Sequence, residues 1–397
     1  VGGRGTRFVH NRLASGRGQR VKMSQAFPSK TSKAVGLWST DYTEVTGQAI
    51  VTLRVVSHVL PKLGEFREYI FPSGGRPRAL MAWVVAFLGL WWDAIFGRIG
   101  VLYLVCSRSN VGFLRDSPAL WLARLGLPIL MHTHGSDLFD LLTNRRLSPI
   151  ARWLYKPCHL VVPSEHLCEI LSPYFASLTV CENFFEGTEV CVTPQTQYPR
   201  SKVDNDSLTV LWNSNIMASK GFFDVCEAIH DLRAAGLPIQ LVATGRPIGD
   251  AEMAMIEVEN RLRVACQSPA IDFRGHVAHQ QSIFLLNEAD VVVLPSRYRS
   301  ELQPVSIIEA MCVGKALLVT DTPVFHSITE SYPAAFVPPK DVEALKRELK
   351  TLLDTRRDDP KRFAMARSED AQVAKERFSS ARFDDKIKFV LSHHLAN

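Results

Sequence analysis

The sequence predicts an α/β protein built from two doubly wound parallel-sheet domains that face each other across a cleft. A chain of 397 residues is too long for one ordinary hydrophobic core. Short, continuous apolar runs alternate with longer amphipathic stretches, the pattern of βαβ units in a parallel sheet. The segment 193–207 (TPQTQYPRSKVDNDS) has no apolar period and is rich in turn-forming residues, so it is the predicted linker between two roughly equal halves.

Each half contains about five runs typical of strands buried on both faces. These candidate strands are 35–40, 101–106, 129–135, 160–164 and 178–183, then 208–215, 239–245, 271–275, 291–296 and 316–321. The predicted helices between them include 47–60, 220–236, 251–266, 279–288, 304–313 and 341–354. We therefore predict an N-terminal Rossmann-like domain over 34–200 and a C-terminal one over 201–375. The last segment, 376–397, is predicted to be a helix that crosses back to the N-terminal domain.

Residues 1–33 are excluded from the predicted fold. The net charge of +6 lies entirely in residues 1–22, which carry six basic residues and no acid, so the rest of the chain is electrically balanced. A nucleic-acid partner is therefore not expected. The segment has no apolar h-region and is not expected to be a secretory signal. Three interpretations stay open: a disordered basic arm, an extension upstream of Met23, or a transit-like peptide.

The eight cysteines show no CxxC and no metal-ligand spacing with histidine, which predicts reduced thiols in a cytoplasmic protein. The segment ALMAWVVAFLGLWW (79–92) is too short for an ordinary membrane span. It predicts either a core helix or a helix half-sunk in a bilayer surface, where its tryptophans would suit the interface. In the second case the protein would work at the inner face of the membrane.

Polar residues follow several predicted strands, at the sheet edge where an α/β site is expected. Gly47, in the loop 39–49, would let backbone approach a phosphate at a helix N-terminus. His132 and His134 share one strand face, but no third ligand is evident, so we expect no metal. We expect His134 to point into the cleft as a hydrogen-bonding partner or proton acceptor.

Two further strand ends carry charged residues. Lys220 starts a predicted helix, where a cation is unfavourable unless an anion is bound there as well. Glu301 lies in the loop before the helix 304–313, and Glu309 lies inside that helix. Pro304 fits the first turn of the helix. Each residue alone is compatible with a solvated surface.

Together these residues carry a resemblance. The stretch PSRYRSELQPVSIIEAMCVG (295–314), a strand end followed by two glutamates separated by seven residues, resembles the GT-B glycosyltransferases of glycosyltransferase family 4. The likeness extends to Lys220–Gly221, to FRGHV (273–277), to THGSD (133–137) and to Asn183. It covers about 35–391 and is stronger in the C-terminal half.

The resemblance implies a retaining transfer from a nucleotide sugar without an obligatory metal or other cofactor. By similarity, Glu309 would bind the ribose hydroxyls, and Glu301 would meet the sugar hydroxyls or lie near the reacting face. Lys220 would neutralise the β-phosphate as it leaves. The resemblance thus implies that His134, Glu301 and Lys220 are the catalytic residues.

Other roles follow from the same resemblance. Backbone amides at the start of the helix 304–313 would meet the diphosphate or sugar, and the base pocket would lie beside FRGHV. The implied donor-binding residues are Glu309, Lys220, Gly47, Asn215, Gln303, Pro304, Val305, Gly275 and Val277.

Two positions depart from the family pattern. The family usually has an arginine five residues before the lysine, where this chain has Asn215, and a Gly-aromatic-Gly loop, where it has Leu302-Gln303-Pro304. Arg297 or Arg299 is predicted to replace the missing cation. Together with Asn183, these arginines are the candidate phosphate or sugar contacts.

The sequence therefore predicts a hexosyltransferase-type enzyme that moves a sugar from a nucleotide sugar to a glycan or lipid-linked acceptor in polysaccharide or glycoconjugate synthesis. Two alternatives remain open. A sugar-nucleotide epimerase would use the same cleft without an acceptor, and a non-catalytic binding protein would bind the nucleotide sugar without turnover.

Overall fold

The computed structural model describes residues 33–42, 47–72, 77–107, 109–133, 135, 137–143, 146–186 and 207–396. Within them, two parallel sheets contain six strands each. The strands of the first sheet are β1 (Ala34–Thr40), β2 (Phe66–Phe71), β3 (Ile99–Val105), β4 (Ile129–His132), β5 (His159–Val162) and β6 (Ser177–Val180). Those of the second are β7 (Leu208–Asn213), β8 (Ile239–Thr244), β9 (Ile271–Phe273), β10 (Val291–Leu294), β11 (Ala316–Thr320) and β12 (Ala335–Val337). The predicted pair of doubly wound sheets is confirmed.

The strand order locates the reversal point of each sheet. The N-terminal order is β2-β1-β3-β4-β5-β6, and the C-terminal order is β12-β11-β10-β7-β8-β9. The direction in which successive strands are added to the sheet therefore reverses between β1 and β3 in one sheet and between β7 and β10 in the other. Loops diverge at such a point, and the crevice between them is where doubly wound sheets bind ligands.

The prediction of about five strands in each half was wrong by one strand in each sheet. The two strands that it missed, β2 and β12, both lie at a sheet edge. In β2 the buried Tyr69 and Phe71 alternate with less buried residues such as Glu68, because an edge strand has less of its surface covered. The search for continuous apolar runs therefore passed over it.

Helices surround both sheets. The helices of the N-terminal domain are α1 (Gly47–Arg54), α2 (Pro77–Ile95), α3 (Asn110–Arg124), α4 (Asp137–Thr143), α5 (Ser148–Tyr155) and α6 (Glu165–Leu171). Those that follow are α7 (Phe222–Ala234), α8 (Met255–Ala265), α9 (His279–Glu288), α10 (Val305–Val313), α11 (Pro323–Ile328), α12 (Val342–Asp358), α13 (Pro360–Met365), α14 (Ser368–Arg377) and α15 (Ser380–Ala396).

The N-terminal sheet separates two hydrophobic layers. Successive residues of β1 alternate between them: Trp38 packs with α2 to α6, whereas Leu37 packs with α1 and α15. This alternation is the period of two expected for a strand covered on both faces. Helices α2, α3 and α5 therefore share one side of the sheet, and α15 lies on the other.

Helix α15 fixes the C-terminal end of the chain to the N-terminal domain. Its Phe383, Ile387 and Leu391 are buried against β1, β3 and α1. At the edge of this contact, Arg54 donates to both carboxylate oxygens of Asp384, at 2.9 and 2.8 Å. The amphipathic spacing in the sequence thus gives a helix that belongs to the core of the first domain.

We expect Leu391→Ala to lower the free energy of unfolding by about 2–5 kcal/mol, because the side chain is fully buried and the truncation leaves a cavity. Phe389→Ala is the matched control on the same helix. Its side chain is 74% exposed, so its cost should stay under about 0.5 kcal/mol. Urea denaturation measures both, and equal effects would contradict the assigned packing of α15.

Candidate active site

A cavity of about 370 Å³ opens beside the reversal point of the C-terminal sheet. It lies between the loop after β7 and the loop after β10, and it reaches across to α1 of the N-terminal domain. Its described lining residues are Ile50, Asn183, Asn213, Ser214, Asn215, Lys220, Thr244, Gly245, His276, Val277, His279, Ser282, Glu301, Gln303, Pro304, Val305, Ser306 and Glu309. We call this space the donor cavity.

Two close contacts hold the β7 and β10 loops together. Gly221 has φ +84°, and a Cβ atom on it would lie 2.6 Å from the carbonyl oxygen of Pro295, so only glycine fits without a shift of backbone. Beside it, the Arg297 amide donates to the Ser219 carbonyl at 2.8 Å. These contacts place Lys220 next to the loop that carries Glu301.

Lys220 and Glu301 form an ion pair inside the cavity. Lys220 Nζ lies 3.1 Å from Glu301 Oε2, and both side chains are less than 15% exposed. Lys220 also donates to Ser214 Oγ at 3.1 Å, and Ser296 Oγ donates to Glu301 Oε2 at 3.0 Å. A cation held in this way is positioned to bind an anion with little loss of side-chain entropy.

Helix α10 points its N-terminus at the same cavity. Its N-cap residue is Pro304, whose side chain makes no capping hydrogen bond to the first amides of the helix. Pro304, Val305 and Ser306 all line the cavity. The positive end of this helix and Lys220 therefore face one space, an arrangement suited to a phosphate group.

Glu309 lies one turn deeper in α10 and is 5% exposed. Its Oε1 accepts a hydrogen bond from His279 Nε2 at 2.8 Å. This hydrogen bond raises the pKa of His279 above its ordinary value, in opposition to the effect of burial. The cavity thus contains a second oriented carboxylate, separate from the Lys220–Glu301 pair.

The segment 300–303 joins the two domains. Ser300 donates a hydrogen bond to Asp137, and Leu302 is buried in the core of the N-terminal domain. The Gln303 side-chain oxygen accepts from the Asn183 backbone N–H at 2.5 Å, and the Gln303 backbone carbonyl accepts from Asn183 Nδ2 at 3.0 Å. The Leu-Gln-Pro sequence, which departs from the family pattern, therefore serves as an interdomain contact.

Most other predicted donor residues fall at or near the cavity. Asn215 and Val277 line it. Gly275 is one step removed, and its carbonyl accepts from the Gly245 amide at 2.9 Å. Gly47 is the first residue of α1, and Ile50 in the same turn lines the cavity.

The two candidate replacement cations lie elsewhere. Arg297 binds Asp224 at 2.6 Å and Glu252 at 2.8 Å. Arg299 lines a neighbouring cavity rather than the donor cavity. Among the described lining residues of the donor cavity, Lys220 is the only lysine or arginine.

The two histidines at and after the end of β4 were both candidate site residues. His132 is buried, with Nδ1 2.6 Å from the Tyr103 hydroxyl. His134 lies outside the described residues, so its predicted role stays a prediction. Over the described ranges, no group of three or more His, Cys, Asp or Glu side chains could hold a metal ion.

Sequence reasoning missed several residues that line the cavity, and three of them show how. His279 starts α9 and orients Glu309, whereas Ser214 contacts Lys220. Gly245, with φ +137°, lies so close to Ser214 that a Cβ atom on it would be 2.0 Å from the Ser214 carbonyl oxygen. A glycine directly after the apolar strand β8 was the available signal, because such a position indicates close backbone approach.

A second cavity of about 250 Å³ adjoins the first and shares Glu301 with it. Its walls come from both domains, and both apolar and polar side chains line it. The residues are Phe139, Asp140, Ser164, His166, Leu167, Ile170, Arg299, Glu301, Leu302, Pro323, Val324, Ser327 and Ile328. Glu301 therefore stands between two spaces.

Known proteins resemble this chain in sequence and in fold. Residues 195–369 match the model of the family described as glycosyl transferases group 1. Glycogen synthase from two strains of Mycobacterium tuberculosis is 24% identical over 219 residues, which is 53% of this chain and 49% of that protein. The chain thus spans about half the length of the curated relatives it matches.

Solved structures resemble nearly the whole chain. Sucrose-phosphate synthase from Thermosynechococcus elongatus has a TM-score of 0.67 at 16% identity and covers 92% of this chain and 99% of its own. The Anabaena protein HepE in complex with UDP and glucose has a TM-score of 0.65 at 14% identity, with 91% and 99% covered. Trehalose 6-phosphate synthase from Burkholderia multivorans has a TM-score of 0.64 at 10% identity, with 92% and 98% covered. At these identities the likeness shows the GT-B fold, and the family model matches the C-terminal part of the chain.

The raised pKa of His279 gives a pH prediction. A histidine whose pKa is higher in the folded state stabilises the fold below its unfolded pKa, and this contribution disappears as the pH rises through the folded value. We expect His279→Gln to lower the melting temperature at about pH 5.5 and to have little effect near about pH 8.5. The cost should be below about 1 kcal/mol for a partly exposed pair.

His230→Gln, on the exposed side of α7, is the matched control for this series. A His279→Gln effect of the same size at both pH values would show that the Glu309 contact does not depend on charge.

Proposed function

We propose that the protein is a retaining glycosyltransferase of family 4, which transfers a hexosyl group from a nucleotide sugar to a glycan or lipid-linked acceptor. The observation that carries this proposal is the Lys220–Glu301 ion pair of 3.1 Å, which faces the open N-terminus of α10 in one cavity. A fixed cation and the backbone amides at a helix N-terminus both favour the binding of a diphosphate.

The donor is proposed to lie across α10. Its diphosphate would be held by Lys220 and the amides at Val305 and Ser306. Glu309, oriented by His279, would accept hydrogen bonds from the two ribose hydroxyls, as a carboxylate with two oxygens can. A uridine nucleotide is the first choice, since two similar structures are complexes of HepE with UDP and with UDP-glucose.

In the proposed reaction, the bond between the sugar C1 and the diphosphate oxygen breaks and a bond from C1 to the acceptor oxygen forms on the same face. The acceptor proton passes to the departing diphosphate. Lys220 and the helix N-terminus stabilise the charge that develops on that group. Because these groups supply the positive charge, the proposal needs no resident metal.

Glu301 is proposed to contact hydroxyls of the donor sugar rather than to attack C1. Its Oε2 already forms an ion pair with Lys220 and accepts a hydrogen bond from Ser296 Oγ, and both contacts lower the nucleophilicity of this oxygen. His134, which lies outside the described residues, remains the proposed partner of the sugar and acceptor.

The acceptor is proposed to enter the second cavity, which shares Glu301 with the donor cavity and which we call the acceptor cavity. The apolar Leu167, Ile170 and Ile328 offer surface for a sugar face or a lipid linker, and Arg299 offers a hydrogen-bond donor. Glu301, shared by both cavities, would then lie beside the reacting atoms.

A cytoplasmic location is proposed with this function. Burial raises the pKa of the Cys158, Cys181 and Cys312 thiols to about 12, so these thiols are inert. Buried unreactive cysteines are typical of proteins from reducing compartments.

Glu309→Gln should abolish donor binding while preserving the shape of the side chain. At about 100 times its dissociation constant, a donor stabilises the native chain by about 2.7 kcal/mol, which a melting-temperature screen of UDP-, GDP- and ADP-sugars would detect. Glu227→Gln, on the exposed surface of α7, should keep the full shift. A full shift in Glu309→Gln would remove the ribose assignment.

Lys220→Ala should lower kcat by about 100-fold or more, because it removes a charge that faces the leaving diphosphate. Initial-rate measurements with donor and acceptor test this, and Lys346→Ala on α12 serves as the control. Turnover of wild-type enzyme to a free epimer without acceptor would favour the epimerase, and donor binding without any turnover would favour a binding protein.

A further inference from the structure

The outer side of the N-terminal domain is formed by three neighbouring helices, α2, α3 and α5. Trp83 on α2 donates to the carbonyl of Arg115 on α3 at 3.1 Å. Trp121 on α3 meets Trp153 on α5 with ring centroids 4.8 Å apart. We call the solvent-facing surface of these helices the α2–α3–α5 face.

This face exposes large apolar side chains in number. On α2, Met81, Val85 and Ile95 are 65–72% exposed, and they occupy one side of the helix. Val111 on α3 is 78% exposed, and Ile150 on α5 is 53% exposed. Scattered single apolar residues are normal on a protein surface, but a patch across three adjacent helices marks an interaction surface.

The charges on the same face have one sign. The exposed charged residues of the three helices are basic: Arg78, Arg124 and Arg152. Two further exposed basic residues, Arg98 and Lys156, lie just after α2 and α5. The described parts of α2, α3 and α5 contain two acids, Asp93 and Asp116, and both are buried. An apolar surface edged by basic residues complements an anionic lipid bilayer, in which acyl chains lie beneath negative headgroups.

We propose that the α2–α3–α5 face docks the protein onto an anionic membrane surface. The inference concerns a surface apart from the donor and acceptor cavities, and it stands whether or not the proposed sugar transfer is correct.

The helix α2 lies on the bilayer in this proposal and does not cross it. By length and composition α2 could span a membrane, because its most apolar stretch of 18 residues has a mean hydropathy of 1.4. Within the protein, 22% of that stretch is buried. However, Asp93 at its C-terminal end binds Tyr69 at 2.8 Å, and Trp83 and Trp91 donate to carbonyls of α3. Spanning would break these contacts and leave a carboxylate in hydrocarbon.

A second copy of the chain fits this face less well. A symmetric dimer would bring the same patch of each copy together, so that Arg78 and Arg124 would face like charges. Lipid headgroups of negative charge remove that conflict.

The orientation of the helices relates the face to the cleft. Helices α2 and α3 follow β2 and β3, so their N-termini lie at the carboxyl edge of the sheet, where the cleft opens. A docked protein would therefore hold its cleft close to the lipid surface.

The test is co-sedimentation of the full chain with vesicles. Phosphatidylcholine vesicles with about 30 mol% phosphatidylglycerol should bind the chain at least about tenfold more tightly than pure phosphatidylcholine, at about 0.1 M salt. Raising the salt to about 0.5 M should weaken binding, since it screens the basic residues. Equal binding to both vesicle types, or binding to neither, would overturn the proposal.

Two variants locate the contact. Val85→Asp with Trp92→Asp should weaken vesicle binding by about tenfold or more, because both side chains are exposed on α2 and the change adds charge. Val264→Asp with Ile256→Asp is the matched control, on exposed positions of α8 in the other domain. Unchanged melting temperatures establish folding. Equal losses of vesicle binding in both double variants would contradict a membrane contact. So would a wild-type chain that binds no vesicles and forms a dimer, seen by light scattering, that the α2 variant loses.

Discussion

The ion pair between Lys220 and Glu301 is the interaction on which the rest of the site depends. Its two residues come from different loops at the reversal point of one sheet, and Gly221 against Pro295 keeps those loops in contact. The loop of Glu301 then continues into the N-terminal domain, where Leu302 is buried. The loop that carries Glu301 and Leu302 thus positions the Lys220 cation and the N-terminus of α10, and it also holds the two domains in contact. Any change that separates these loops would disturb all three.

The two domains contribute differently to the proposed work. The C-terminal domain offers charge: Lys220, the amide end of α10 and the oriented Glu309 face one space. The N-terminal domain offers surface, namely walls of the acceptor cavity and the α2–α3–α5 face. This division fits a reaction in which a charged soluble donor meets an acceptor that is large or held at a membrane. Helix α15 couples the end of the chain to the first domain.

Sequence patterns predicted the fold and many of the residues that line the donor cavity, because buried strands and the polar residues after them can be recognised locally. The apolar runs located ten of the described strands and missed β2 and β12. Arg67 and Glu68 interrupt the apolar sequence of β2, and β12 has only three residues. Contacts distant in sequence left no such local pattern. The pairing of His279 with Glu309 spans 30 residues, and that of Asn183 with Gln303 spans 120. The ion pairs of Arg297 with Asp224 and Glu252 could not be predicted from the sequence either, since they depend on how the loops fold back.

The most direct test of the account is a crystal structure of the chain with UDP bound. The account predicts the β-phosphate within about 3.2 Å of Lys220 Nζ and of an amide at the start of α10. It also predicts both ribose hydroxyls on Glu309. A diphosphate bound away from Lys220, with Lys220 still paired only to Glu301, would contradict the central claim that this ion pair marks the leaving-group site.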